Sequence, residues 1–157
     1  MLGADNQYIS TRLRREGYLD AMAQAGLPVE ESWYAQADAV YSFASGQEAA
    51  RTLLAAVPRP TAVFCISDIL ALSVISAAQE LGLDVPRDLT VTGFDDVDYT
   101  TMVHPYLTTI AQPCHELGRQ SVDLLDGPQN ETAVPSERAL LPHRLMKRES
   151  AAPPQGT

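Results

Sequence analysis

The chain has 157 residues, of which 45% are apolar and 20% charged, as is typical of one soluble globular domain with its own core. Its 20 acidic residues outnumber 11 basic ones, and the resulting net charge of −9 repels phosphate backbones. We therefore expect no nucleic-acid binding by these residues themselves. The sequence shows neither a membrane span of ~20 apolar residues nor a signal peptide, so the expected location is the cytoplasm.

The first half of the chain alternates helical and extended patterns. A helix is predicted over residues 11–25, with Ser10 as its cap. A short strand is predicted around residues 32–35. Ser45 and Glu48 then fit a capping box, which predicts a second helix that stops before Pro58.

The segment 61–98 predicts a strand, a helix and a second strand. Residues 61–66 are a continuous apolar and β-branched run, typical of a parallel strand that is covered on both faces. Apolar residues recur at helical spacing over 69–81, and Gly82 marks the end of that helix. Residues 89–94 repeat the strand pattern, so the segment is predicted to form a right-handed βαβ unit.

The remaining patterns continue the alternation. We expect a helical turn up to residue 103, a strand over 107–111, a helix over 115–125 and an edge strand over 138–145. The whole pattern predicts an α/β domain with a mostly parallel sheet flanked by helices.

The polar residues that follow the two central strands form a candidate binding site, because ligands of open parallel sheets bind beyond the carboxyl ends of the strands. Ser67, Asp68 and Asp95 occupy those positions. Asp68 is also well placed to cap the helix after it. A second interpretation has both carboxylates accept hydrogen bonds from a small polar ligand.

Two side chains before this segment have a structural and a functional interpretation. Arg14 belongs to a group of three arginines that is typical of a solvated helix face, although helical spacing lets one of them turn toward a cleft. Tyr41 could pack on the core or stack on a ligand.

Several chemistries have no support in the sequence. Paired carboxylates occur in glycosidases, but no general-acid environment is recognisable, and motifs for a nucleophile or a nucleotide are absent. Cys65 and Cys114 have no paired spacing, and the three histidines lie apart from them. We therefore expect neither a metal nor a cofactor, and binding without turnover.

Seven motifs in register resemble the LacI/GalR transcriptional regulators. They are RREGY at 14–18, SG at 45–46, PTAVF at 60–64, SDxxA at 67–71, VPxDLTVxGFDD at 85–96, PxLTTI at 105–110 and LxxRxS at 145–150. The resemblance implies one lobe of a periplasmic-binding-protein-like (type I) fold, namely the C-terminal lobe of an effector-binding domain. It assigns residues 1–149 to this lobe. Residues 150–157 are rich in proline, glycine and alanine, and this composition predicts a disordered tail.

Position by position, the resemblance implies functional roles for five residues. Arg14 corresponds to the family's effector-binding arginine, Tyr41 to its aromatic stacking residue, and Asp68 and Asp95 to its acidic cleft residues. Ser67 stands where the family often has asparagine, and its shorter hydroxyl could reach a ligand through water. Ser73 stands where the family often has glycine.

The resemblance also implies parts that this chain lacks. A helix-turn-helix module, a hinge and a first lobe are expected to be missing, and the helix over 115–126 is expected to cross to that first lobe. The implied protein is a homodimeric, non-enzymatic repressor whose sugar-like effector alters operator affinity, with operator DNA bound only through the missing module. Two alternatives are a sugar-binding receptor of an ABC-type uptake system and an α/β enzyme that uses Asp68 and Asp95.

Overall fold

The computed structural model describes residues 1–4, 8–126 and 140–153. Within these residues, the strands are β1 (Leu2–Gly3), β2 (Ala35–Gln36), β3 (Ala62–Phe64), β4 (Thr90–Thr92), β5 (Thr109–Ala111) and β6 (Arg144–Met146). The α-helices are α1 (Ile9–Gln24), α2 (Phe43–Leu54), α3 (Asp68–Glu80) and α4 (Cys114–Asp126), and Glu31–Trp33 and Asp98–Thr101 form 3₁₀ turns.

The strands align in the order β2-β1-β3-β4-β5-β6. Parallel pairing joins β1 to β2 and β3 to β4, and single parallel bridges from Leu2 to Cys65 and from Thr92 to Thr108 connect the pairs. β6 pairs with β5 in the antiparallel sense at one edge. The predicted α/β class with a mostly parallel sheet is confirmed.

The core lies where α2 and α3 pack on each other and on the sheet. Val63 and Val91 of the central strands are 1% and 0% exposed, and Leu70 and Val74 of α3 are 0% exposed. Burying an aliphatic side chain of this size contributes about 1.5–3 kcal/mol. The strand–helix–strand unit predicted from the sequence therefore forms the stabilising centre of the described structure.

Two predicted helix caps are wrong. Ser10 lies inside α1, which begins at Ile9 with Tyr8 at the N-cap position. α2 begins at Phe43, and Ser42 caps it by accepting a hydrogen bond from the Ser45 amide. The carboxylate of Asp38 accepts from both the amide and the hydroxyl of Ser42, and this contact fixes Ser42 rather than Ser45 at the cap.

The predicted disorder from residue 150 onward is wrong for the residues that the structure describes. Ser150 is fully buried, and its hydroxyl donates to the Val91 carbonyl and accepts from the Thr108 amide. The Ala152 carbonyl accepts from the Thr90 hydroxyl. These bonds fasten residues 150–152 to β4 and to the residue before β5. Residues 154–157 lie outside the described residues. So do residues 138–139 of the predicted edge strand.

The predicted helix over 115–126 is present as α4, and its apolar side is exposed. Leu117, Val122, Leu124 and Leu125 are 54–75% exposed. Arg119 pairs with Glu116 and Asp123 along the helix. None of the helices in the described part of the chain has the length and apolar character that a bilayer crossing needs.

Candidate functional site

The carboxyl ends of the strands meet at one edge of the sheet, as the sequence predicts. The Ile66 amide donates to Leu2 beside it, and the Asp95 amide donates to the Ile110 carbonyl. The turns after β3, β4 and β5 therefore place Ser67, Asp95 and Gln112 along this edge.

Arg14 and Asp95 form the centre of the site. The Arg14 guanidinium donates to the Ile66 carbonyl at 2.6 Å and to Asp95 Oδ1 at 3.4 Å, and it lies 3.9 Å above the centre of the Phe94 ring. The Gln112 side-chain amide donates to the same Asp95 oxygen. α1 thus turns Arg14 toward the sheet, while Arg12 pairs with Glu16 on the exposed face.

The electrostatic state of Asp95 results from opposing effects. Burial raises the pKa of Asp95 above its ordinary value, and the Arg14 charge and the Gln112 hydrogen bond act in the opposite direction. The side chain retains 30% exposure, against 17% for Arg14. A carboxylate in this position is chemically able to accept hydrogen bonds from a polar group, and its guanidinium partner is already oriented.

Backbone strain concentrates at this site. Tyr41, Asp95 and Asp96 have φ angles of 55°, 124° and 61°. Such conformations cost of order 1–3 kcal/mol each for side chains with a Cβ, and they persist where the surrounding contacts fix them, often at binding sites. Two of these three residues belong to the site that the sequence predicts.

Asp68 is fully buried, and its carboxylate is used within the chain. One oxygen accepts from the Thr109 hydroxyl, and the other accepts from the Val97 amide at 3.1 Å. Asp68 therefore ties α3 to β5 and to the turn after Asp96, and the predicted capping role is wrong. Gly93 makes this possible, because a Cβ at that position would collide with the Asp68 carboxylate.

Ser67 and Tyr41 are the remaining two predicted site residues. Ser67 holds the N-cap position of α3 without a side-chain capping bond, and its buried hydroxyl has no hydrogen-bond partner among the described residues. The Tyr41 hydroxyl lies 2.8 Å from the Thr11 hydroxyl, one helical turn before Arg14. Tyr41 also packs against the hydrophobic core, which is the structural role that its sequence position allowed. Of the five predicted residues, the structure therefore brings Arg14 and Asp95 into direct contact, whereas Asp68, Ser67 and Tyr41 have their contacts within the chain or are buried.

Three contributing residues are not among the sequence predictions. Gln112 follows β5 directly, so the rule that selects Ser67 and Asp95 could also have found it. Phe94 offers a ring to Arg14, but its apolar character is equally typical of the strand core. Arg148 donates to Asp96 from a distant part of the chain; the LxxRxS motif contains it, but no local pattern indicates its partner.

Arg14 and Phe94 also line a groove. The groove is open to solvent, has a volume of about 860 Å³ and is lined mainly by apolar side chains of α1 and the sheet, together with Arg14, Leu140 and His143. The described residues contain no group of three His, Cys, Asp or Glu side chains that could hold a metal ion. This arrangement provides hydrogen-bonding groups beside an apolar wall, as small-molecule sites do.

Comparison with known proteins identifies the class of protein to which the chain belongs. The periplasmic binding protein-like domain matches residues 1–151 of the chain. The structure of the transcriptional regulator CelR with cellobiose superimposes with a TM-score of 0.86 at 31% identity, over 96% of this chain and 45% of that one. A LacI family regulator from Enterococcus faecium with bound ribose gives a TM-score of 0.82 at 30% identity, over 98% and 56% of the two chains.

Proteins with similar sequences indicate the family within this class of protein. Catabolite control protein A of Priestia megaterium is 42% identical over 135 residues, which are 86% of this chain and 40% of that protein. The repressor CytR of Escherichia coli K12 is 44% identical over 112 residues, 71% of this chain and 32% of that protein. The chain belongs to the LacI family of transcriptional regulators, and it spans less than half the length of these two relatives.

Proposed function

We propose that this chain is the C-terminal, effector-binding lobe of a LacI-type transcriptional repressor. A sugar-like small molecule binds at Arg14 and Asp95 and alters the affinity of the full-length protein for operator DNA. The observation that carries the proposal is the arrangement of Asp95, in a strained backbone conformation, between the Arg14 guanidinium and the Gln112 amide. Relatives that are regulators support this reading over that of a transport receptor.

Each residue of the site has a defined part in this proposal. Asp95 accepts hydrogen bonds from ligand hydroxyls, and Arg14 donates to ligand oxygens through the N–H groups that Ile66 and Asp95 leave unused. Tyr41 offers a ring face. Ser67 would reach a ligand through water only if the turn after β3 opened, because its hydroxyl is buried. Asp68 would contact a ligand directly only if its bond to Val97 or Thr109 opened.

The proposal includes a first lobe and an operator-binding module outside this chain. The ligand would be enclosed between the two lobes and would favour one relative orientation of them, which couples the effector site to the operator site. The exposed apolar side of α4 supports its crossing to such a lobe. We expect the full-length protein to be a homodimer, and light scattering that finds a monomer at high concentration would contradict this part.

The test uses full-length protein and a panel of ligands. Cellobiose, ribose, other mono- and disaccharides and nucleosides are screened for thermal stabilisation, and titration calorimetry then gives the affinity of any ligand found. Arg14→Ala or Asp95→Ala should weaken binding by at least about tenfold, because each removes charged hydrogen bonds of about 1.5–3 kcal/mol. Arg12→Ala is the matched control, since Arg12 lies on the same helix but pairs with Glu16 in solvent.

Two readouts decide the outcome. Unchanged affinity in both site variants would refute the assigned site. A gel-shift assay with operator DNA then measures whether the ligand alters operator affinity in the wild type and in Arg12→Ala but not in Asp95→Ala. A ligand that binds without any change in operator affinity would refute the regulatory mechanism.

A further inference from the structure

Arg148 joins three segments of the chain beside the candidate site. One guanidinium nitrogen donates to the Leu107 carbonyl at 2.8 Å and to the Thr100 hydroxyl at 3.2 Å, and the other donates to Asp96 at 2.6 Å. The side chains of Arg148 and Asp96 are 16% and 19% exposed. This ion pair is therefore largely shielded from solvent. A charged contact in a shielded position is stronger than one on an open surface.

Arg148 is itself held firmly in place. Its backbone amide donates to the Thr108 hydroxyl at 2.9 Å. Two residues later, the buried Ser150 hydroxyl bridges the Val91 carbonyl and the Thr108 amide. The guanidinium therefore extends from a fixed segment, residues 148–150, which is hydrogen-bonded to Val91 of β4 and to Thr108.

The turn that Arg148 contacts is the strained one. Asp95 and Asp96 are consecutive residues with φ angles of 124° and 61°, a pair that L-residues rarely adopt. On one side the Asp95 amide donates to Ile110, and on the other the Val97 amide donates to Asp68. Asp96 lies between these two contacts, and Arg148 is its charged partner.

We propose that Arg148 is a positioning residue of the effector site. By clamping Asp96, it holds the strained turn in the conformation that directs the Asp95 carboxylate at Arg14 and Gln112. The planar guanidinium suits this task because it reaches three acceptors at once, whereas a lysine ammonium on the same stem is a single point charge. The proposal rests on the proposed function only in taking Asp95 as a ligand contact.

A purely structural ion pair would predict a different behaviour from a positioning residue. Removal of a structural pair lowers the global stability and leaves the Asp95 environment of the folded state unchanged. Removal of a positioning residue alters the Gln112–Asp95 hydrogen bond and the Val97 amide within molecules that remain folded. The two roles are thus separable by local spectroscopic readouts.

The experiment is NMR on the ligand-free 157-residue chain with Arg148→Met, which keeps the length of the side chain and removes its charge. The readouts are the Gln112 side-chain amide resonances, which report on the bond to Asp95, and hydrogen exchange of the Val97 amide. We expect the Gln112 resonances to shift and Val97 exchange to accelerate about tenfold or more, because charged hydrogen bonds are lost. Core amides of α3 should keep their protection relative to global unfolding.

Further variants keep the test decisive. Arg87→Met removes an exposed pair with Asp84 and Asp88, and it should leave both readouts unchanged. Arg148→Lys should restore part of the wild-type signal, and Asp96→Asn should reproduce the effect of Arg148→Met should that variant fail to fold. Wild-type Gln112 and Val97 signals in both Arg148→Met and Asp96→Asn, or equal acceleration of all amides, would overturn the proposal.

These readouts need no ligand, so they separate the failure of this inference from the failure of the proposed function. A shifted Gln112 signal together with unchanged ligand affinity in Asp95→Ala would retain Arg148 as the clamp and reject Asp95 as a contact. An unshifted Gln112 signal together with lost ligand affinity in Asp95→Ala would retain Asp95 as a ligand contact and reject Arg148 as the clamp.

Discussion

Replacing Gly46 with alanine tests the contact between α2 and α3, which supports one side of the site. A Cβ on Gly46 would lie 2.5 Å from Ser73 Oγ, 2.8 Å from Ser73 Cβ and 2.9 Å from a methyl group of Leu70. Both neighbours are completely buried. The Ser73 hydroxyl is also held by the Phe43 and Ile69 carbonyls, so it cannot turn away without losing hydrogen bonds.

Gly17 is the matched control because it also lies inside a helix. A Cβ on Gly17 would meet no atom within 4 Å. Alanine should therefore stabilise at Gly17 by up to about 1 kcal/mol through helix propensity alone. At Gly46 the same gain is opposed by overpacking that typically costs about 1–3 kcal/mol.

Urea unfolding followed by circular dichroism measures the difference. We expect Gly46→Ala to be less stable than Gly17→Ala by roughly 1–3 kcal/mol, which is the overpacking cost alone. Ser73→Gly should cost less in the Gly46→Ala background than in the wild type, because it removes two of the three atoms that the new methyl group meets. A Gly46→Ala chain as stable as Gly17→Ala, or strictly additive effects in the double variant, would refute the close approach of these helices.

Three further predictions concern the site and the cysteines. Gly93→Ala should cost about 1–3 kcal/mol of unfolding free energy in the same assay, because its methyl group would displace the buried Asp68 carboxylate; wild-type stability would contradict that packing. Since burial raises the pKa of Asp95, the folded state binds the proton more tightly than the unfolded state, and this stabilisation is lost as pH rises through the raised pKa. Asp95→Asn should accordingly be more stable than the wild type at about pH 7 and lose that advantage near pH 3, as measured by urea unfolding at each pH. A greater advantage at low pH would contradict the upward direction of the Asp95 pKa shift. Burial raises the pKa of Cys65 to about 12, whereas Cys114 is exposed, so a chromogenic disulfide reagent should titrate one thiol in the native chain and both in denaturant; two fast native thiols would contradict this.

Local patterns were sufficient to predict the centre of the fold. The helix predicted over 69–81 is α3, Asp68–Glu80, and the strands predicted on either side contain β3 and β4. These elements are specified by continuous apolar runs and helical spacing, which are properties of neighbouring residues. The cap of α2 is different: Ser42 and Ser45 are equally suitable by type, and the choice depends on contacts with Asp38.

The end of the chain also depends on contacts that local sequence patterns do not reveal. A segment rich in proline, alanine and polar residues is typical of disorder, and the prediction from residue 150 onward rested on that composition. Ser150 is nevertheless buried, because a small hydroxyl between β4 and β5 satisfies the Val91 carbonyl and the Thr108 amide. Its partners lie 59 and 42 residues away, so no local pattern could reveal them.

The three carboxylates of the site show what sequence reasoning leaves open. Asp68, Asp95 and Asp96 all follow strands at the same edge of the sheet, and position alone makes each a candidate ligand contact. Their partners are separated from them by large stretches of chain: Thr109 lies 41 residues from Asp68, and Arg148 lies 52 residues from Asp96.

Those distant partners decide which carboxylate remains available. Asp68 is enclosed by a hydroxyl and a backbone amide, and Asp96 is taken by Arg148 in a shielded ion pair. Asp95 keeps the greatest exposure of the three, and its partners are the side chains of Arg14 and Gln112. The contacts of Asp68 and Asp96 both hold the turn that contains Asp95, through the Val97 amide and through Arg148. In the proposed site, the two carboxylates that are occupied within the chain are therefore the ones expected to orient the third.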